Sequence, residues 1–195
     1  MTRPRAIAAG RAAVARAACS KQRIEPRIGA TAIAGRVDSL AREIATALPK
    51  NVLIVSILKG SFVFVADLIR ALSKNGRDWP MDFMSLSSYG AGTSSSGKVK
   101  VVRDIAESVT GRTILLIDDI LESGRTLKFA RALLRKRGAK RVYICALLDK
   151  PSRRAIALEA DFKGFVIADE FVVGYGLDWA HQYRGLPFIG VVRRS

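Results

Sequence analysis

Cysteine and histidine are almost missing from this chain. Its 195 residues hold two cysteines, Cys19 and Cys145, and one histidine, His181. Two thiols so far apart make neither a disulfide framework nor a cysteine metal cluster, and they read as reduced thiols of a cytoplasmic protein. One imidazole rules out a multi-histidine metal centre and disfavours a Ser-His-Asp triad. No apolar run approaches the ~20 residues that span a bilayer, so no membrane partner is expected. Two nucleotide signatures are also absent. There is no G-x-x-x-x-G-K-[ST], which disfavours a P-loop NTPase. Gly174-x-Gly176 lacks the third glycine and the following helix of a dinucleotide fingerprint.

Acids are scarce: 17 Asp and Glu stand against 33 Lys and Arg, a formal net charge of +16. Residues 1–23 contain no acid at all and many alanines, a composition like that of an organellar transit peptide. The favoured expectation for 1–23 is a disordered basic extension or a start codon assigned too early, with a single domain at 24–195. Much of the remaining excess lies in 125–154, where Asp149 is the one acid. Lys128, Arg131 and Arg135 fall opposite Leu127, Ala130 and Leu134 at helical spacing, so most of that charge reads as a solvated helix face.

Apolar residues at 33, 37, 40, 44 and 48 predict a helix that Pro49 closes. Apolar runs at 52–58, 81–86, 99–103, 114–117 and 141–148 predict strands, with helices at 62–72 and from 126 to near Gly138. Short apolar stretches at 165–168 and 171–173 follow. The loop at 87–98 (SSYGAGTSSSGK) is polar and about a dozen residues long, a length usual for lids or disordered segments. Strands alternating with helices predict an α/β fold with a mostly parallel central sheet flanked by helices.

The chemistry concentrates at 114–127. An apolar strand runs directly into Asp118 and Asp119, then Glu122, then Ser123-Gly124-Arg125-Thr126 as a helix opens. The point just past a parallel strand's carboxyl end is where such sheets bind ligands. A turn of glycine and hydroxyls at a helix start offers unpaired N–H groups to an anion. Acids beside that hollow suit sugar hydroxyls or a hard cation such as Mg²⁺. The segment reads as a site for a phosphorylated sugar.

This pattern resembles the phosphoribosyl-pyrophosphate (PRPP) motif of the type I phosphoribosyltransferases. Four further stretches fall in the expected order: Leu58-Lys59-Gly60-Ser61, Ser87-Ser88-Tyr89-Gly90, 148–154 (LDKPSRR) and 169–178 (DEFVVGYGLD). Together they look like the hypoxanthine (6-oxopurine) branch of that family, over about 33–192. The resemblance implies a small hood, a flexible active-site loop, Mg²⁺ as cofactor, PRPP and a 6-oxopurine as substrates, and a homodimer or homotetramer. It implies that residues 123–126 hold the 5′-phosphate, with Asp118 and Asp119 meeting the ribose hydroxyls directly or through Mg²⁺. Lys59, Gly60 and Ser61 would face pyrophosphate, across a peptide that can be cis in the family, and Arg184 would bind the same group. On the purine side, Lys150 would donate to O6, Phe171 would stack on the ring, and the Val172 backbone would contact its edge. Asp178 would coordinate Mg²⁺ beside the base, and the loop beginning at Ser88 and Tyr89 would close over the site. A lysine at O6 selects oxopurines, because the amino group of adenine would leave it without an acceptor.

Without the resemblance, four of these residues have plainer readings. Phe171 would be core about as readily as ligand platform, and Asp178 and Arg184 would be surface charges. Lys150 would be part of a basic turn. Two positions depart from the family's usual residues: Asp118 stands where glutamate is common, and Glu122 where aspartate takes the proton from purine N7. Glutamate keeps that chemistry with one more methylene of reach, so the expectation is an active enzyme with Glu122 as catalytic base. A second reading keeps the fold but makes the chain a PRPP- or nucleotide-sensing regulator that binds RNA through segment 125–154. The joint presence of Lys150, Phe171 and Asp178 argues against it.

Overall fold

The computed structural model describes residues 23–88 and 99–193. Strands β1 (Arg23–Ile28), β2 (Val52–Leu58), β3 (Met81–Ser88), β4 (Val99–Arg103), β5 (Thr113–Leu121), β6 (Arg141–Asp149), β7 (Phe162–Val166), β8 (Val172–Val173) and β9 (Ile189–Arg193) accompany three helices. These are α1 (Ala30–Ala47), α2 (Phe62–Lys74) and α3 (Arg125–Lys136), with one 3₁₀ turn at Pro151–Arg153.

Six strands form the main sheet in the order β4-β3-β2-β5-β6-β7, parallel except for the β4 edge. Both faces are covered, which explains why β2 and β5 read as unbroken apolar runs rather than alternating ones. Alternate residues still divide between two cores. Leu115 and Ile117 pack with Ile33, Leu40 and Phe64 beneath α1 and α2. Ile114 and Leu116 pack with Leu127, Ala130 and Leu134 of α3 on the opposite face. The second face of α3 is the solvated one expected of its lysines and arginines.

The chain leaves β2 through α2 toward β3 on one side, and leaves β5 through α3 toward β6 on the other. β2 and β5 are neighbours, so the connections diverge above their carboxyl ends and open a crevice there, the switch point at which such sheets bind ligands. A small antiparallel sheet, β1-β9-β8, joins the two ends of the described chain. β1 is its edge strand, which is where Pro26 is tolerated, next to a register shift between Pro26 and Ile28. Neither β1 nor β9 was expected from periodicity. β5 also runs further than the apolar run at 114–117, carrying Asp118 and Asp119 within the strand.

Candidate active site

β2, β5 and the start of α3 wall a cleft of about 350 Å³ whose lining includes Lys59, Gly60, Asp118, Asp119, Ser123 and Thr126. Gly124 caps α3 with φ +81°, and a Cβ there would lie 3.2 Å from Ile156 Cγ1. Only glycine meets both demands without strain. Gly124 has no side chain to cap the helix, the Arg125 N–H leans on Ser123 Oγ at 3.4 Å, and the first turn holds no acid. The helix start therefore lines the cleft without a competing carboxylate of its own, at the positive end of the helix dipole.

Opposite that turn stand the two acids. Asp118 is 8% exposed, and its carboxylate accepts the Asp119 N–H at 3.1 Å. Burial, reinforced by the charge of Asp119, pushes Asp118 well above the ordinary carboxylate range. Burial raises Asp119 as well, against the pull of its hydrogen bonds and of the Arg184 guanidinium. Paired buried carboxylates are electrostatically costly, and a hard cation relieves both penalties. Among the described residues no three acid, histidine or cysteine side chains gather at metal-binding distance. The protein thus offers part of a coordination shell, which fits Mg²⁺ that draws its other oxygens from substrate and water.

The Leu58–Lys59 peptide is cis. Beyond it Gly60 lets the chain pass so close to Asp119 that a Cβ would sit 1.4 Å from Oδ2. Ser61 is fully buried, its hydroxyl 2.8 Å from Ser56 Oγ and bonded to the Ile57 carbonyl. Its side chain faces the core rather than the cleft, which leaves only its backbone for an anion.

The register between β5 and β6 sets Leu121 against Asp149, and the Lys150 N–H bonds Leu121 O at 3.0 Å. Lys150 is thereby carried beside Glu122. Its ammonium, in a residue only 4% exposed, lies 2.5 Å from Glu122 Oε1 and 3.0 Å from the Glu170 carbonyl. Phe171, next in sequence, is 56% exposed, which overturns its reading as core. Val172 follows in β8 with its side chain buried.

Asp178 and Arg184 belong to a tightly wound segment. Gly174, Tyr175, Gly176, Ala180, His181 and Tyr183 all have positive φ. Arg184 pairs with Asp178 and donates to the Gly176 carbonyl at 2.6 Å, while Asp178 accepts the His181 N–H at 2.8 Å. Neither is a free surface charge. Gly176 packs against Gly60, where a Cβ would meet the carbonyl oxygen at 2.1 Å, so the segment is braced directly on the Lys59–Gly60 turn.

Similarity to known proteins agrees with this layout. A family model described as a phosphoribosyl transferase domain matches residues 28–179. The hypoxanthine phosphoribosyltransferase of Escherichia coli (strain K12) is 42% identical over 175 residues, covering 88% of this chain and 97% of that one. The chain belongs to the phosphoribosyltransferase family. Its relatives within that family are hypoxanthine and hypoxanthine-guanine phosphoribosyltransferases. A crystal structure of a hypoxanthine-guanine phosphoribosyltransferase from Bacillus anthracis superposes with TM-score 0.80 at 40% identity, covering 88% of this chain and 99% of that one. The bifunctional protein TilS/HprT of Listeria innocua is 47% identical over 159 residues. The chain spans about a quarter of that protein's length, 24%.

Lys59, Gly60, Asp118, Asp119 and the turn at 123–126 thus meet at the sheet's carboxyl edge, while Ser61 turns its side chain away and the expected lid falls outside the described residues. Ser88 closes β3 by its backbone, and Tyr89 with the loop to 98 lies outside the described residues, as do residues 1–22. Asp178 stands apart from Asp118 and Asp119 rather than forming one cluster with them. Periodicity alone missed the buried pair of Asp149 and Arg154, which lies behind the Glu122 backbone. An acid that ends a fully apolar strand must be paired when buried, and that was the available signal.

Proposed function

We propose that the chain is a purine-salvage enzyme that moves the 5-phosphoribosyl group of PRPP onto hypoxanthine or guanine, releasing pyrophosphate. The observation that carries this reading is the meeting of Lys150 Nζ and Glu122 Oε1 at 2.5 Å beside an exposed Phe171. O6 and N7 lie side by side on one edge of an oxopurine. A donor for the first and an acceptor for the N7 proton must lie side by side too. The purine edge exchanges the ion pair for one bond to each partner, with the ring stacked on Phe171 and its edge along the Val172 backbone.

The N–H groups at 123–126 hold the 5′-phosphate, aided by the Ser123 and Thr126 hydroxyls, and Arg125 adds positive charge at the helix entrance. Asp118 and Asp119 take the ribose hydroxyls, and Lys59, Gly60 and Arg184 gather the pyrophosphate. Asp118 and Asp119, with Asp178 beside the base, would hold Mg²⁺, which would supply neutralising charge for the leaving group. As the bond to pyrophosphate loosens, positive charge grows on the ribose, and Arg184 meets the negative charge that departs. Glu122 receives the N7 proton as N9 bonds to C1′. The enzyme works in the cytoplasm as a homodimer or homotetramer, a state that sedimentation measures directly.

Nothing in the fold favours the RNA-binding alternative. Within 125–154, Arg137 pairs with Asp104, Lys150 with Glu122, Arg153 with Asp169 and Arg154 with Asp149. The decisive assay supplies PRPP, Mg²⁺ and each of hypoxanthine, guanine, xanthine and adenine. Turnover of an oxopurine and none of adenine is expected. Glu122→Gln should lower kcat by roughly 100-fold or more, as removal of a general base does, while Glu122→Asp stays active. A fully active Gln variant would exclude Glu122 as the base.

A further inference from the structure

Arg154 counts in the sequence as one more cation of a basic segment, yet its side chain is only 12% exposed and faces inward. One terminal nitrogen of its guanidinium bonds the Leu121 carbonyl at 2.8 Å and the Glu122 carbonyl. The other bonds Asp149, whose side chain is 1% exposed. Lys163 Nζ stands 3.3 Å from the second oxygen of Asp149, supplying charge without a directed hydrogen bond. The Arg154 Nε is buried and has no hydrogen-bond partner.

This arrangement is poorly explained by stability alone. A buried ion pair recovers little beyond its own desolvation, and an unpaired buried N–H adds to the cost. What the guanidinium does hold is the main chain of the two residues that precede the phosphate turn. The neighbouring Ala155 N–H bonds the Ser123 carbonyl at 3.2 Å, extending the same clamp by one residue. Asp149 is joined in sequence to Lys150, and Lys150 reaches the Glu122 side chain. The guanidinium thus closes a ring from Asp149 through the Glu122 backbone and carboxylate to Lys150.

We propose that Arg154, anchored by Asp149, is a positioning residue that fixes the Glu122 backbone so that its carboxylate meets the purine beside Lys150. This rests on the purine-coupling reading. Glutamate has one more rotatable bond than aspartate, so a base built on it depends more on where its main chain is held. The planar fork of arginine spans two carbonyls and a carboxylate at once. Lysine keeps the charge but cannot make that span.

The test combines Arg154→Lys and Asp149→Asn with steady-state kinetics, each alone and in the Glu122→Gln background. Arg154→Lys should lower kcat tenfold to a hundredfold, the scale of a displacement of about 1 Å at a reacting group. The KM for PRPP should stay within about threefold, because the phosphate turn keeps its own N–H donors. Asp149→Asn should lower kcat in the same direction by less. In the Glu122→Gln background neither should cost more than about threefold, since a residue acting through Glu122 has nothing left to position. Loss of the same size in both backgrounds, or an unimpaired Arg154→Lys in an active wild type, overturns the inference alone. A wild-type chain with no oxopurine turnover overturns the functional reading beneath it as well.

Discussion

A Cβ at position 60 would overlap the Asp119 carboxylate, at 1.4 Å from Oδ2 and 2.6 Å from Cγ. The obstructing atoms are the end of a side chain, so the fold can yield by swinging Asp119 aside. Gly60→Ala should therefore leave the thermal midpoint nearly unchanged while lowering kcat/KM for PRPP on the order of a hundredfold, since it displaces the carboxylate we assign to the ribose. At Gly176 the obstruction is the Gly60 carbonyl at 2.1 Å and φ is +100°, so the same methyl group meets backbone that cannot turn away. Gly176→Ala should thus cost stability, roughly 1–3 kcal/mol by chemical denaturation. Residue identity was legible in the sequence wherever a role follows from local chemistry, as at Asp118, Asp119 and Gly124. It was not legible at Ser61, whose hydroxyl turns into the core, nor at Arg154, whose burial depends on strands far from it in sequence.

At the scale of elements, β3 is tied to the turn that precedes β5 through Asp82. Its carboxylate accepts the N–H groups of Phe83 at 2.7 Å, Ala106 at 2.6 Å and Glu107 at 3.0 Å. Burial works against its charge, but the three amide donors outweigh it and hold Asp82 below the ordinary carboxylate value. A lowered folded-state pKa means that the stabilisation is complete above the unfolded value of about 3.9 and fades as pH falls through the folded one. Asp82→Asn should then destabilise by about 1 kcal/mol at pH 7, given the site's partial exposure, with the difference shrinking below about pH 4. Urea titrations at pH 7 and pH 3 would check both halves of the expectation. The helices and buried strands were readable because period and length identify them. β1 and β9 were not, since one mixes charges with a proline, the other is five residues long, and each exists by pairing with the other.

For the whole molecule, two packed faces enclose a thiol that the sequence could place only as reduced. Cys145 lies at the centre of β6, fully buried, and burial pushes its pKa upward. It should resist iodoacetamide in the folded protein and react once denaturant opens the sheet, as mass spectrometry of the alkylated peptide would record. Among the described residues no helix is long and apolar enough to cross a membrane. The sequence by itself determined the half of the site that we assign to PRPP. Asp118, Asp119, Glu122 and the turn at 123–126 are contiguous, so one strand-to-helix junction builds them with little help from elsewhere. The residues we assign to the purine are scattered in sequence, and only the tertiary structure brings Lys150 and Glu122 together. Lys150 reaches Glu122 because β5 and β6 pair with Leu121 against Asp149, and Arg154 turns inward because the same register buries an acid that needs a partner. A shift of one residue between those strands would leave every motif intact and separate Lys150 from Glu122.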